Sequence, residues 1–134
     1  MLLPNGAMIA VADGEKLNLF HNKGHEDSPE LTAVPVGKIA SDNHGSGARH
    51  HSSAANHDHG QLEEDSHSAG VAALLNAEVT AGRIQKLVVI ASPKALGELR
   101  KHYSKELEAT LLGEIAKDLT GHSSDQIAAA IDKA

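Results

Sequence analysis

Histidine is the residue type with the clearest capacity for chemistry in this sequence. The chain carries ten histidines, and five of them lie in the segment 41–60 together with three glycines and four serines. Imidazole is a common ligand of zinc, nickel and copper. One hypothesis is therefore a Zn or Ni site formed by His57, His59 and His67, with no other cofactor expected.

A second interpretation of the same histidines needs no metal. A metal site requires fixed geometry and supporting hydrogen bonds, which a loop of glycine and serine does not supply. The sequence contains no His-Glu-x-x-His motif, and its only histidines four residues apart, His21 and His25, span a predicted turn. Segment 41–60 can instead be a solvated, flexible loop whose positive charge rises below about pH 6.5.

Carboxylates near the ends of predicted elements raise a metal-dependent hydrolase as a further alternative. Such chemistry needs acidic side chains that converge at adjacent strand ends and hold two cations about 3.5–4 Å apart. Asp13 follows the first predicted strand, and Glu63, Glu64 and Asp65 are expected in the first turn of the first long helix. The fourth predicted strand ends in Ala-Ser-Pro without a carboxylate. The set is incomplete, which leaves only weak magnesium-dependent cleavage by Asp13 and Glu64.

Two further polar motifs lie in segment 41–60. Gly45-x-Gly47 followed by Arg49 resembles a small anion cradle, although it does not join a strand directly to a helix. Ser52 and Ser53 lie near histidines, but no Gly-x-Ser-x-Gly motif surrounds them. The alternative is a flexible turn with a solvated arginine. The candidate phosphate contacts in this segment are Gly45, Gly47, Arg49, His50, Ser52 and Ser53.

A concentration of basic residues follows the fourth predicted strand. Lys94, Arg100, Lys101 and Lys105 lie close together, and the three lysines share one helical flank with interleaved glutamates. Most such faces are only solvated, but a basic stripe on an acidic protein can contact RNA phosphates. Lys94, Arg100 and Lys101 are therefore a second set of candidate RNA contacts.

Composition excludes several classes of protein. The chain has no cysteine, which rules out disulfides, thiolate metal sites and cysteine nucleophiles. Lys and Arg total 12 against 18 Asp and Glu, a net charge of −6 that argues against a dedicated DNA-binding protein. Phe20 and Tyr103 are the only aromatic residues of the Phe, Tyr and Trp class, so no stacking platform for single-stranded nucleic acid is expected.

The N-terminal sequence predicts a cytoplasmic protein. No Lys or Arg precedes Lys16, and Pro4, Asn5 and Gly6 interrupt the first apolar run. A secretory signal needs a basic start and an unbroken apolar stretch. A membrane span needs about 20 apolar residues. We therefore expect neither export nor a membrane partner.

Apolar periodicity predicts a single α/β domain over residues 1–134. Strands are expected near 6–12, 15–21, 31–36, 86–91 and 114–120, and helices over 61–82, after Ser92 as one helix or two separated near Ser104, and after Ser123. Asp13-Gly14 between the first two strands indicates a hairpin. The order β-β-β, long loop, α-β-α-β-α is typical of the ribonuclease H-like fold, a mixed five-stranded sheet in the order 3-2-1-4-5 with helices packed on it.

A succession of short motifs resembles the bacterial host-attachment family, described as "protein required for attachment to host cells". The motifs extend over nearly the whole chain: Val11-Ala12-Asp13-Gly14-Glu15-Lys16-Leu17, Gly45-x-Gly47 with Arg49-His50-x-Ser52-Ser53, Gln61-Leu62-Glu63-Glu64-Asp65, Lys86-Leu87-Val88-Val89-Ile90-Ala91 with Pro93, Leu96-Gly97-Glu98-Leu99-Arg100 and Lys117-Asp118-Leu119-Thr120. The resemblance implies a relation to the middle domain of class-one peptide release factors, which has a ribonuclease H-like sheet.

The same resemblance implies a function without catalysis. Release factors carry Gly-Gly-Gln in the loop before the first long helix, whereas this chain has Gly45-Ser46-Gly47 and lacks the Gln. Lys94 occupies a position where the resemblance implies Arg. The planar guanidinium of Arg binds phosphate through two hydrogen bonds, whereas Lys keeps only the positive charge. We therefore expect a non-enzymatic, release-factor-like module that contacts the ribosome, tRNA or rRNA, does not bind DNA, and affects host attachment indirectly.

Overall fold

The protein folds around a mixed sheet whose strands follow the apolar runs of the sequence. The computed structural model describes residues 1–36 and 59–134, with side chains of the first helix described from Glu63 onward. The elements are β1 (Met8–Ala12), β2 (Leu17–Asn22), β3 (Leu31–Val34), α1 (His59–Thr80), β4 (Leu87–Ala91), α2 (Pro93–Arg100), α3 (Lys105–Thr110), β5 (Leu111–Ala116) and α4 (Ser124–Lys133). The five strands lie in the order β3-β2-β1-β4-β5, which confirms the predicted fold class and sheet order.

Strands β1 and β4 form the centre of the sheet because both are apolar along their whole length. Every residue of both strands is buried. β1 pairs antiparallel with β2 and parallel with β4, and β4 pairs parallel with β5. A strand covered on both faces has a continuous apolar run instead of an alternating pattern. The carboxyl ends of β1, β4 and β5 therefore point to the same edge of the sheet.

The predicted β1–β2 hairpin is present, and a side chain closes its turn. Residues 13–16 link the two strands, since Ala12 pairs with Leu17. Asp13 Oδ1 accepts hydrogen bonds from the backbone N–H groups of Glu15 at 2.7 Å and Lys16 at 2.6 Å. This Asp-closed turn needs no left-handed residue, and Gly14 is not among the described glycines with positive φ.

Helix α1 begins at His59, two residues before the predicted start. The helix extends by about half a turn into the predicted loop 41–60. Glu63, Glu64 and Asp65 consequently lie beyond the first turn of the helix, and the prediction that places them in it is wrong. At the other end, Gly82 adopts a φ of 80° and follows the end of the helix as predicted.

Serine hydroxyls begin both helices that follow β4. Ser92 Oγ accepts from the N–H of Ala95 at 3.4 Å, with Pro93 at the first helical position. Ser104 Oγ accepts from the N–H of Leu107 at 3.0 Å. The predicted break near Ser104 is therefore a true helix boundary, stabilised by the cap of α3.

The link between α2 and α3 is tied to α1 by one amide side chain. Asn76 Oδ1 accepts from the N–H of Ser104 at 3.0 Å, and its Nδ2 donates to the carbonyl oxygen of His102 at 2.9 Å. Helix α2 ends before this link and α3 begins after it. The single helical flank predicted for Lys94, Lys101 and Lys105 is consequently wrong, because Lys105 lies on a separate helix.

Strand β5 begins earlier than predicted, at Leu111, and ends at Ala116 instead of Thr120. Leu111 continues the three- to four-residue spacing of the preceding leucines, and this spacing predicts a helical residue. In the structure Leu111 pairs with Leu87 of β4, and this tertiary pairing overrides the local pattern. Asp118 and Thr120 therefore lie after the strand, at its carboxyl end.

Two apolar layers hold the helices on the sheet. One face of the sheet packs against α1, α2 and α3, and the other packs against α4 and the N-terminal segment. Helix α4 begins at the predicted Ser123–Gln126 capping box, in which both reciprocal hydrogen bonds are formed. Within residues 1–36 and 59–134, no helix combines the length and the apolar character needed to cross a membrane.

Candidate functional site

An acidic cleft lies at the edge of the sheet where the parallel strands end. In open α/β sheets this edge is the usual place for ligands. The cleft has a volume of about 350 Å³. Asp13 follows β1, Ser92 follows β4 and Asp118 comes after β5, while α1 and α2 form the walls. Its lining residues are Asp13, Gly14, Glu15, Glu64, Asp65, Ser68, Ser92, Lys94, Ala95, Glu98 and Asp118.

Asp13 is a carboxylate of the cleft that accepts hydrogen bonds at both of its oxygens. Its Oδ1 closes the β1–β2 turn, and its Oδ2 lies 2.7 Å from the hydroxyl of Thr120. That hydroxyl is also 2.8 Å from Asp118 Oδ1, so its one proton can serve only one of the two carboxylates at a time. Partial burial alone would raise the pKa of Asp13. The hydrogen bonds from Glu15, Thr120 and Lys16 outweigh it and hold the pKa below its ordinary value of 3.8.

Replacement of Asp13 by asparagine is expected to remove stability that depends on pH. A carboxyl group with a lowered folded-state pKa stabilises the fold above the unfolded-state pKa and loses this effect as the pH falls through the folded-state value. Asp13→Asn should lower the free energy of unfolding by about 0.5–1.5 kcal/mol at pH 7. The difference from wild type should shrink below pH 3.8 and vanish once the pH is below the folded-state pKa of Asp13.

Urea denaturation at pH 7, 5 and 3 measures this effect. Asp132→Asn is the matched control, because it removes the same charge from an exposed position on α4. A deficit for Asp13→Asn that is as large at pH 3 as at pH 7 would contradict the role assigned to the ionised carboxylate.

His67 of α1 contacts the β1–β2 turn next to the cleft. It is 8% exposed, and its Nε2 lies 3.2 Å from the carbonyl oxygen of Lys16. A carbonyl oxygen only accepts, so Nε2 carries a proton and this nitrogen does not face a metal. In the predicted metal set, His57 lies outside the described residues, as does the side chain of His59. The Zn or Ni site stays a prediction.

The rim of the cleft carries two lysines that are held by its carboxylates. Lys94 Nζ lies 4.0 Å from Glu64 Oε2 across the cleft. Lys101 Nζ donates to Glu98 Oε1 at 2.8 Å, and this bond raises the pKa of Lys101 above 10.5. Glu64 lies against the β1–β2 turn because Gly14 has no side chain. A Cβ at Gly14 would be only 2.9 Å from the side-chain carbons of Glu64.

Arg100, unlike these two lysines, is bound to a carboxylate of the sheet. Its Nε and Nη2 donate to Glu114 Oε1 at 3.1 and 2.9 Å, and the hydroxyl of Tyr103 donates to Glu114 Oε2 at 3.1 Å. Burial, followed by the charge of Glu114, raises the pKa of the Tyr103 phenol. The hydrogen bond and charge of Glu114 raise the pKa of Arg100. These three side chains connect α2, β5 and the link after α2.

The two carboxylates of the hydrolase alternative line the same cleft. Asp13 and Glu64 belong to different elements, and the fold brings both to the sheet edge. In the described part of the chain, however, no group of three or more His, Asp or Glu side chains has the arrangement of a metal site. Glu63 and Asp65 also take part in polar interactions of their own. Cleavage with magnesium stays a prediction.

The sequence of the whole chain places it in a known family. Residues 6–131 match the family described as bacterial archaeo-eukaryotic release factor family 12. The chain belongs to this family. A comparison with curated proteins gives no match.

Membership of the release-factor family confirms one part of the resemblance drawn from the motifs. The release-factor relationship and the mixed sheet agree with each other. The host-attachment description stays a prediction. The candidate contacts Gly45, Gly47, Arg49, His50, Ser52 and Ser53 lie outside the described residues, and their contact with RNA stays a prediction.

Sequence reasoning missed several residues of the cleft. Asp118 was not predicted there because the fifth strand was expected to run through it to Thr120. Glu98 was expected only as one of the glutamates between lysines, and Ser68 carried no signal of its own. The motif Lys117-Asp118-Leu119-Thr120 was the available clue, since polar residues directly after a parallel strand lie at the ligand-binding edge.

Proposed function

We propose that the protein is a non-enzymatic, release-factor-like module that contacts the ribosome through RNA. The observation that carries this proposal is the match to a release-factor family over residues 6–131. The absence of Gln after Gly45-Ser46-Gly47 removes the side chain that release factors use in peptide release. Binding without peptidyl-tRNA hydrolysis is therefore the activity proposed.

The proposed contact combines the glycine-arginine motif with the rim of the cleft. The planar guanidinium group of Arg49 can bind a phosphate through two parallel hydrogen bonds. Lys94 has a side chain that is 66% exposed, and its nearest carboxylate is at the outer limit of an ion pair, 4.0 Å away. A phosphate can therefore take the place of this carboxylate on Lys94. Contacts of this kind position RNA without reading its sequence.

An effect on host attachment is proposed to be indirect. A cytoplasmic protein of this family does not meet the host surface, so it would act through the synthesis of other proteins. The family relationship supports a role connected with translation. Attachment would then change because the amounts of surface proteins change.

Loss of both proposed phosphate contacts should weaken ribosome binding. The double variant Arg49→Ala, Lys94→Ala should bind purified ribosomes about tenfold more weakly at low salt, since each lost contact contributes about 0.7 kcal/mol. Affinity should also fall less steeply with salt, because fewer counterions are released on binding.

Filter binding over a range of salt concentrations measures both quantities. Lys133→Ala, at the end of α4, removes a charge of the same sign far along the chain and should leave the affinity within twofold. Equal affinities for wild type and the double variant would show that these residues do not contact RNA.

A further inference from the structure

We propose that Glu64 and Glu98 act as internal competitors of RNA, holding Lys94 and Lys101 until phosphate displaces them. This inference rests on the proposed function and concerns the regulation of the same site. In the unbound protein each lysine of the rim is already bound to a carboxylate of the cleft. Phosphate must therefore exchange for a carboxylate to bind either one.

The two lysines lie at the two ends of α2. Lys94 lines the cleft, and Lys101 is the residue directly after the helix, seven residues further along the chain, with a helical backbone that keeps it on the same face as Lys94. Glu98 lies between them, and Glu64 reaches across from α1. The alternation of lysine and carboxylate along the rim gives every cation a partner within 4.0 Å.

Exposure makes the exchange feasible. The side chains of both lysines are 66% exposed, whereas those of Glu64 and Glu98 are 43% and 22% exposed. The lysine side chains are thus more exposed to solvent than the glutamate side chains that bind them. A phosphate can approach each lysine from outside without any movement of the backbone. Arg100 differs, because Glu114 is shared with Tyr103 and holds the guanidinium in a larger network.

The strength of the pairs sets the size of the effect. Exposed ion pairs contribute between about 0.2 and 1 kcal/mol. Such a pair lowers affinity for a competing anion by at most about fivefold. The carboxylates would therefore tune RNA binding without abolishing it, and they would restrict tight contact to RNA that offers two suitably spaced phosphates.

The test measures the affinity of the full chain for a short, fluorescently labelled single-stranded RNA by anisotropy at low salt. Glu98→Gln keeps the shape of the side chain but releases Lys101, and it should tighten binding about two- to fivefold. Glu64→Gln should do the same through Lys94. Glu26→Gln, in the β2–β3 loop, removes the same charge elsewhere and should change the affinity less than twofold.

A double-variant cycle separates release of the lysine from the general loss of negative charge. In a Lys101→Ala background, Glu98→Gln should no longer tighten binding, because no lysine remains to be released. A gain of equal size in that background would overturn the inference. An unchanged affinity for Glu98→Gln and Glu64→Gln in the wild-type background would also overturn it.

The outcomes distinguish this inference from the proposed function. One outcome would reject only the competition between carboxylates and RNA. In it, wild type binds RNA, replacement of Lys94 and Lys101 weakens binding, and the glutamine variants leave the affinity unchanged. Wild type that binds neither the labelled RNA nor ribosomes would reject both proposals.

Discussion

Replacing Asn22 by alanine is expected to lower the free energy of unfolding by about 2–4 kcal/mol. The Asn22 side chain is fully buried at the end of β2. Its Nδ2 donates to the carbonyl oxygens of Leu3 at 2.8 Å and Pro4 at 3.2 Å, and its Oδ1 accepts from the N–H groups of Gly24 and Glu30 at 2.9 Å each. Alanine would leave these backbone groups without their partner, which costs more than the hydrogen bonds themselves.

Chemical denaturation followed by circular dichroism measures this loss. Asn18→Ala is the matched control, since Asn18 is exposed on the same strand and its removal should cost less than about 0.5 kcal/mol. Similar costs for the two variants would show that the amide of Asn22 does not hold the N-terminal segment and the β2–β3 loop to the sheet.

Replacing Leu75 by alanine is expected to have an effect of similar or larger size, about 3–5 kcal/mol. Leu75 is 0% exposed in the middle of α1 and belongs to the core layer that contains Val89 of β4 and Leu96 of α2. The shorter side chain would lose its apolar contacts and leave a cavity that surrounding helices fill only in part. The loss is a large part of the about 5–15 kcal/mol that stabilises a typical domain.

The same denaturation experiment tests Leu75, with Leu2→Ala as the control. Leu2 is 68% exposed, so the identical change in side chain should cost less than about 0.5 kcal/mol. A cost below about 1.5 kcal/mol for Leu75→Ala would indicate that α1 is not packed on the sheet as described.

The sheet could be predicted from the sequence because its strands carry strong local signals. The run from Leu87 to Ala91 is wholly apolar, and the order of strands and helices then leaves few ways to connect them. The sequence predicts the start of β5 three residues too late, because Leu111 fits a helical spacing and only its pairing with Leu87 assigns it to the sheet. These two residues are far apart in the sequence, so no local pattern predicts that they pair.

The candidate site could be predicted less completely. Asp13 and Lys94 were identified because each sits beside a turn or helix start that the sequence marks. The cleft itself depends on α1 and α2 meeting above the strand ends, and no local pattern specifies that Glu64 lies against Gly14. The four hydrogen bonds of Asn22 were missed for the same reason, since an asparagine next to a turn has the same sequence signature whether it is exposed or buried.

The ion pairs of the rim could not be predicted from the sequence either. Interleaved lysines and glutamates are equally compatible with a solvated face and with specific pairs. The structure shows Lys101, directly after α2, bound to Glu98 of that helix and Arg100 bound to Glu114 of β5. This difference separates a lysine that can exchange partners from an arginine that connects two elements.

The most direct test of the central claim is the migration of the wild-type protein through a sucrose gradient of native lysate at low salt. If the protein contacts the ribosome through RNA, it should travel with ribosomal particles and move to the top of the gradient after ribonuclease treatment. Protein that stays at the top in untreated lysate, during both growth and stress, would contradict the account.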